Sequence, residues 1–357
     1  MVRREWMDRI STFDGCFVRR FTKCLPSLAG MAIASPLMEL PLMAADRDRV
    51  ETALLNAVRT SDPYLTEVAS HLIVAGGKRL RPVMTIAAAQ VGSADPVAND
   101  VILGGIACEL VHLGSLYHDD VMDESTTRRG VETVNAKWGN LQAIVAGDFL
   151  LARASEIAAN LGNEVAGLLA RTIGRLCEGQ IEELKTTYDM KRSIPTYLSS
   201  IDGKTASLFS TSARIGALVA GHERQVVDAL TNYGTSFGMV FQIVDDVLDI
   251  LSTEEELGKP AGHDMEEGVY TLPVLLTLAD GGVAAEELRE LLGKPLSSVE
   301  RDKALSIVRS NNGVQSAIDT ARNYVQLAEA ECNRMPQGAA NDALRAAPMA
   351  LLSSVIR

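Results

Sequence analysis

The residues best suited to chemistry lie in two aspartate-rich stretches. The first closes an apolar run, Leu110-Val111-His112-Leu113-Gly114-Ser115-Leu116-Tyr117-His118-Asp119-Asp120-Val121-Met122-Asp123, and Arg128 and Arg129 follow it. On a helix, Asp119 and Asp123 would share one face. Like charges at that spacing cost roughly 0.2–0.5 kcal/mol on a bare helix, so the pattern needs a compensating partner. A hard divalent cation held by oxygen ligands is the natural one. Two guanidiniums beside such a pair suit a diphosphate: the metal bridges carboxylate to phosphate and the arginines take the remaining oxygens. A solvated acidic turn followed by a basic one is the plain alternative for this stretch alone. The second stretch, Phe241-Gln242-Ile243-Val244-Asp245-Asp246-Val247-Leu248-Asp249, repeats Asp-Asp-x-x-Asp at the end of another apolar run. Carboxylates are seldom buried unless paired or on a metal. Two such clusters can hold several magnesium ions around one diphosphate and neutralise it as it departs from carbon.

The elements that must carry these motifs are helical. The chain has 357 residues, 47% hydrophobic and only 4% aromatic, and its helical periodicity runs through the motifs without a linker. One large all-α domain over residues 44–357 is expected, a helical bundle around a central cavity. Apolar spacing predicts helices over 46–60, 63–74, 82–91, 96–117, 138–160, 164–187 and 228–251. Asp62-Pro63 and Asp95-Pro96 each read as an N-cap followed by proline at the first helical position. A helix opening at Pro195 is interrupted at Asp202-Gly203-Lys204-Thr205, and a glycine there implies a kink. Such a kink can aim Lys204 and Thr205 into a cavity. Asp148 is expected to be a buried hydrogen-bonding acid, and residues 253–268 to form a loop in which Lys259 caps the site.

Residues 1–43 differ from the rest, with Arg3, Arg4, Arg9, Arg19, Arg20 and Lys23 ahead of an apolar stretch broken by Pro26, Pro36 and Pro41. An extension outside the core, or a start at Met31 or Met43, is expected over a basic membrane-surface anchor. No run reaches the ~20 apolar residues a membrane span needs. A net charge of −12 argues against nucleic-acid partners. Five widely spaced cysteines without a C-x-x-C fit a reducing cytoplasm.

Taken together, the chain resembles the trans-type polyprenyl diphosphate synthases, especially the bacterial long-chain members. The resemblance rests on the two Asp-rich motifs, on Gly76-Gly77-Lys78-Arg79-Leu80-Arg81-Pro82, on Gly147-Asp148-Phe149-Leu150 and on Gly203-Lys204-Thr205-Ala206, in that family's order. It implies the isoprenoid-synthase helical fold, a homodimer, and Mg2+ as cofactor, three ions held through Asp119, Asp123 and Asp245. Asp120, Asp246 and Asp249 complete the catalytic motifs. Lys78, Arg81, His112 and Arg129 would hold isopentenyl diphosphate; Arg128 and Lys204 would hold the allylic diphosphate. Lys204 and Thr205 would meet the allylic diphosphate and the nascent cation, Gln242 would be a further substrate-binding residue one turn before Asp245, and Phe241 could offer the cation a π-face. Val111, Gly114 and Ser115, below the metal ligands, would set product length. The family's lysine ahead of Thr-Leu-Pro is absent: Val269 precedes Tyr270-Thr271-Leu272-Pro273, which removes one diphosphate-binding cation.

The implied reaction is chain elongation. The allylic diphosphate ionises, the isopentenyl double bond attacks the cation, and the released diphosphate can take the proton. Small residues at 114 and 115 point to a C35–C50 product, such as a quinone side chain, with a C15–C20 product as the alternative. A peripheral membrane contact would serve release of so apolar a product. A class I terpene cyclase would lack the isopentenyl-binding basic set, and a di-iron carboxylate protein would need Glu-x-x-His pairs that Glu124 and Glu183 do not make. A non-catalytic subunit of a heteromeric synthase has Val269 as its sole support.

Overall fold

The computed structural model describes residues 35–253 and 261–356. A short 3-10 helix at Pro36–Glu39 leads into α1 (Met43–Ala57), α2 (Pro63–Val74), α3 (Leu80–Ala89) and α4 (Asn99–Met122). A two-stranded ribbon, β1 (Thr127–Arg128) and β2 (Val131–Glu132), precedes α5 (Val134–Trp138), α6 (Asn140–Leu161), α7 (Asn163–Lys185) and α8 (Ile194–Ile201). A π turn at Asp202–Ala206 joins α8 to α9 (Ser207–Val219), and α10 (Arg224–Leu251) follows. The chain ends in α11 (His263–Glu266), α12 (Leu272–Asp280), α13 (Gly282–Leu291), α14 (Ser298–Arg309), α15 (Gly313–Cys332) and α16 (Ala339–Leu352). The all-α expectation holds.

Two apolar clusters meet along α10. Its first half, with Val227, Leu230, Tyr233 and Phe237, packs among α1–α4, α6 and α9. Its second half, with Val240, Ile243, Val247 and Ile250, packs among α8 and α12–α16. The second Asp motif therefore sits on the spine of the molecule. The first ends α4, most of which is buried; by length and composition α4 would suffice to cross a membrane, yet it is the core helix here.

Several boundaries differ from the sequence expectations. The core begins before residue 44, because Leu37, Leu40 and Met43 are buried in the first cluster. Prolines break the apolar pattern before residue 44, but Pro36 opens a 3-10 helix that needs no long periodic run. Asp62 caps α2 as expected, accepting from the Tyr64 amide at 2.9 Å. Asp95-Pro96 does not start a helix; α4 begins at Asn99. Gly139, at φ 98°, ends the short unpredicted helix α5 at Trp138, and the helix expected over 138–160 begins after it, at Asn140, as α6.

Leu37→Ala should cost about 2–5 kcal/mol of stability, as for other buried large-to-small changes. Urea or thermal unfolding measures this, and an unchanged midpoint would put residues 35–43 outside the core.

Candidate active site

Three elements converge on the first Asp motif. Asp119 and Asp120 lie in the last turn of α4, and Asp123 caps it. The ribbon that follows reverses at Arg129 and Gly130, whose φ values of 54° and 76° are both left-handed, as a two-residue hairpin turn requires. This reversal, which the sequence reading missed, fixes both arginines. Arg128 Nε donates to Asp120 Oδ1 at 2.5 Å, while Asn135 Nδ2 donates to the Asp120 carbonyl at 2.9 Å. Asp120 is fully buried and serves to hold Arg128, not to face the cleft. Arg129 Nη1 donates to the carbonyls of Leu72 and Gly76, tying the ribbon to the Gly76-Gly77 loop. A Cβ on Gly77, whose φ is 154°, would crowd Arg129 Nη1 at 3.0 Å, so the side chain there would have to give way.

The loop has a buried anchor that the sequence reading overlooked. Arg79 is 2% exposed. Its guanidinium pairs with both carboxylate oxygens of Glu51 at 2.7 and 3.1 Å and with Glu109 at 3.2 Å, and it donates to the Ile73 carbonyl. Lys78 beside it is exposed. Arg81 lies with its guanidinium carbon 4.6 Å from the Phe209 ring centroid and 5.9 Å from that of Phe241. Burial, with Arg129 as a like neighbour, brings Arg81 down to about 10, and burial lowers Arg129 too. His112 is pushed well below the usual histidine range, first by burial and then by Arg81, Arg129, Arg128 and Arg79. Those influences bring the expected basic set Arg81, His112, Arg128 and Arg129 into one neighbourhood. An excess of positive charge there suits an anion.

The π turn supplies the other wall. Lys204 Nζ donates to Glu183 on α7 at 2.6 Å. Burial pulls Lys204 down, but Glu183, Asp119 and Asp123 outweigh it and hold it above its ordinary range. Asp119 is raised by burial, with Lys204 and Arg128 opposing. Asp123 opens to solvent, yet the cleft wall, Asp119 and Glu267 push it up to about 6. On the other side, Thr205 Oγ1 donates to Gln242 Oε1 at 2.7 Å, and Gln242 Nε2 donates to Asp246 Oδ1 at 2.8 Å. Tyr197 OH donates to Asp246 Oδ2. Burial raises Asp246 to about 7 against those two hydrogen bonds. Asp246 and Asp249 are buried and Asp245 is exposed, so Asp245 is the member of its motif that reaches the cleft.

Other expectations change or fall elsewhere. Asp148 is not buried: its side chain is 69% exposed, 3.4 Å from His118 Nε2. Gly114 is turned toward α6, where an added Cβ would meet the Gly147 carbonyl at 3.1 Å and Leu151 at 3.2 Å. Gly104 and Gly105 likewise make room for Ile215 and Pro82. These glycines let helices pack closely, and Val111 is 1% exposed within the same core. Ser115 is half-buried, its hydroxyl donating to the His112 carbonyl at 2.9 Å. Lys259 lies outside the described residues. Near Val269, Arg192 donates to the Tyr270 carbonyl at 3.3 Å. A recess of about 450 Å³ on the outer side of α7, lined by Arg175, Glu178, Lys185 and Asp202, includes none of the motif aspartates.

The electrostatics of this neighbourhood make a direct prediction for His112. Because its folded pKa is depressed, its ring stays neutral as pH falls through the unfolded value near 6.5, and protonation begins only at lower pH. A ring-nitrogen NMR titration of the free protein reads this; a midpoint at or above about 6.5 would refute the crowding by arginines.

Comparison with known proteins identifies the family and the fold. Residues 62–308 match the family model described as polyprenyl synthetase. The chain is 40% identical over 299 residues to a nonaprenyl diphosphate synthase of Mycobacterium tuberculosis, covering 84% of this chain and 89% of that one. It is 36% identical over 302 residues to heptaprenyl diphosphate synthase component 2 of Bacillus subtilis, covering 84% and 86%. Among solved structures, a Caulobacter crescentus polyprenyl synthase complexed with calcium and isoprenyl diphosphate superposes with a TM-score of 0.83 at 33% identity, covering 90% of this chain and 98% of that one. The aspartates that end α4 and α10 thus stand in a chain that belongs to the polyprenyl synthetase family, prenyltransferases that condense isopentenyl diphosphate head-to-tail.

Proposed function

We propose that this enzyme extends an allylic diphosphate with isopentenyl diphosphate to an all-trans product of C35–C50, using a divalent metal, Mg2+. The observation that carries the reading is the π turn, which presents Lys204 to the first Asp motif and Thr205 to the second. The long-chain names of the Mycobacterium and Bacillus relatives support the product class.

The donor set fits a hard cation. Asp119 is close enough to raise the proton affinity of Asp123, and oxygen ligands alone suit Mg2+. Among the described residues no three His, Cys, Asp or Glu side chains cluster tightly enough to hold an ion, so substrate and water oxygens would complete its shell. Asp119 with Asp123, and Asp245 separately, would each hold ions of the expected Mg2+ set, which when bound would neutralise charge on the departing diphosphate. Arg128, fixed by Asp120, and Lys204 bind that leaving group. Lys78, Arg81, His112 and Arg129 hold isopentenyl diphosphate so that its double bond faces the ionising carbon. Gln242 Oε1 and the Thr205 hydroxyl set oxygen lone pairs where positive charge develops.

A second copy of the chain is the expected partner. Leu141, Ile144 and Val145 on α6 and Ile181 and Leu184 on α7 are exposed, a run of apolar surface that a homodimer would cover. The Bacillus relative is named as a component, so light scattering of the purified chain alone would distinguish a homodimer from a subunit awaiting a different chain.

The direct test incubates the protein with Mg2+, isopentenyl diphosphate and C10–C20 allylic primers and separates the products by length. Wild type should form C35–C50 polyprenyl diphosphates, and Asp119→Ala should lose at least about 10²–10³-fold in rate while remaining folded. A variant with more than a tenth of wild-type turnover would sink the role of Asp119.

Ser115→Phe should shorten the product toward C15–C20 and leave the first condensations intact. Gly114→Phe should instead lower the melting temperature, because its ring must displace Leu151 and the Gly147 carbonyl. Product length that does not respond at Ser115 would place the channel elsewhere.

A further inference from the structure

Tyr197 has no part in the motifs, yet it ends a hydrogen-bond chain that reaches the reacting centre. It lies on α8, in the turn that leads to the π turn, and is 1% exposed. Its hydroxyl donates to Asp246 Oδ2. The other carboxylate oxygen accepts from Gln242 Nε2 at 2.8 Å, and Gln242 Oε1 accepts from Thr205 Oγ1 at 2.7 Å. The Arg192 guanidinium lies 5.5 Å from the Tyr197 ring centroid and is itself tied to the Tyr270 carbonyl, which fixes the ring from behind.

We infer that Tyr197 is a positioning residue for the condensation: through Asp246 it sets which end of the Gln242 amide faces the ionising carbon. An amide has a donor end and an acceptor end that are nearly the same size, so its orientation is decided by its partners. Two donors on Asp246 keep that carboxylate an acceptor on both oxygens. Gln242 must then offer it the NH2 end, and its carbonyl oxygen is turned to Thr205 and to the developing positive charge. Without the Tyr197 hydroxyl, Asp246 Oδ2 is left buried and unsatisfied, a cost that rotation of the carboxylate relieves. That rotation removes the constraint on the amide. A flipped Gln242 presents N–H dipoles to the carbon that becomes cationic, which opposes ionisation and leaves the diphosphate contacts untouched. The α8–π turn–α9 segment is thus held to α10 on both sides of the turn, by Tyr197 before it and by Thr205 within it.

This inference rests on the prenyl-transfer reading, so the wild-type chain is assayed first with Mg2+, isopentenyl diphosphate and farnesyl diphosphate. A wild type that forms no product overturns that reading, and the role of Tyr197 with it. Given turnover, Tyr197→Phe should lower kcat by about 10–100-fold, the loss expected of one hydrogen bond to a charged group. The KM of each diphosphate should stay within about threefold of wild type, because the basic residues that bind them are unchanged. In a Thr205→Val background the same substitution should cost much less, since the two hydroxyls act on one amide. A Tyr197→Phe protein that unfolds, or keeps a kcat within about twofold of wild type, or loses as much in the Thr205→Val background as alone, makes Tyr197 a scaffold residue and overturns the inference.

Discussion

The site depends on one close backbone approach. The π turn at Asp202–Ala206 is wedged between α7 and α10, and glycines on all three segments make this possible. A Cβ on Gly179 would lie 2.6 Å from the Lys204 amide nitrogen, one on Gly203 would lie 2.8 Å from the Arg175 carbonyl, and one on Gly238 would lie 2.5 Å from the Ala206 Cα. Interiors are packed too densely to absorb such overlaps. π turns inside α-helices are rare and concentrate at functional sites. Here the extra residue in the turn lets consecutive side chains, Lys204 and Thr205, reach opposite partners, Glu183 on α7 and Gln242 on α10.

Charge is then distributed on either side of that wedge. Carboxylates of the first motif gather around Lys204, and their mutual repulsion leaves room for further positive charge. Around His112, four arginines crowd together, with Glu109 and Glu51 opposing Arg79 and Arg129 and Asp120 pairing Arg128, and the surplus there suits an anion. The buried pairs that hold these groups are scaffolding: Arg79 with Glu51 and Glu109 anchors the glycine loop, and Asp120 anchors Arg128. A buried ion pair adds little net stability but is costly to break, which suits parts that must hold a fixed geometry. The metal-facing and substrate-facing groups are consequently the exposed or half-exposed ones, while Arg79, Asp120 and Asp246 beside them in sequence are buried.

Much of this was legible in the chain before any fold was drawn. The aspartate spacing, the basic residues at 78, 81, 128 and 129 and the interrupted helix at Gly203 name the chemistry, because helical periodicity and side-chain charge are local properties. Asp62-Pro63 marks a helix start for the same reason: capping is settled within one turn. The paired motifs also fixed the all-α class, since each closes a long apolar helical run. What local pattern could not decide is which member of a motif faces the cleft. Asp119 and Asp120 are adjacent and alike, yet one opens to the cleft and the other is sealed beneath Arg128. That choice belongs to the Arg129-Gly130 reversal and to Asn135, which meet Asp120 only when the chain folds back. Gly114 shows the limit equally: as a small residue below the metal ligands it suggests a channel, but the side of α4 it occupies is the side that α6 covers. Tyr197 and the buried pairing of Arg79 carried no signal for the site, because their partners lie on other elements. Residue type and spacing determined the chemistry available to this protein; the packing of helices distant in sequence decided which carboxylates reach the metal, which arginines stay free for an anion and where small residues are filled by a neighbour, since burial and pairing are properties of contacts that exist only in the folded chain.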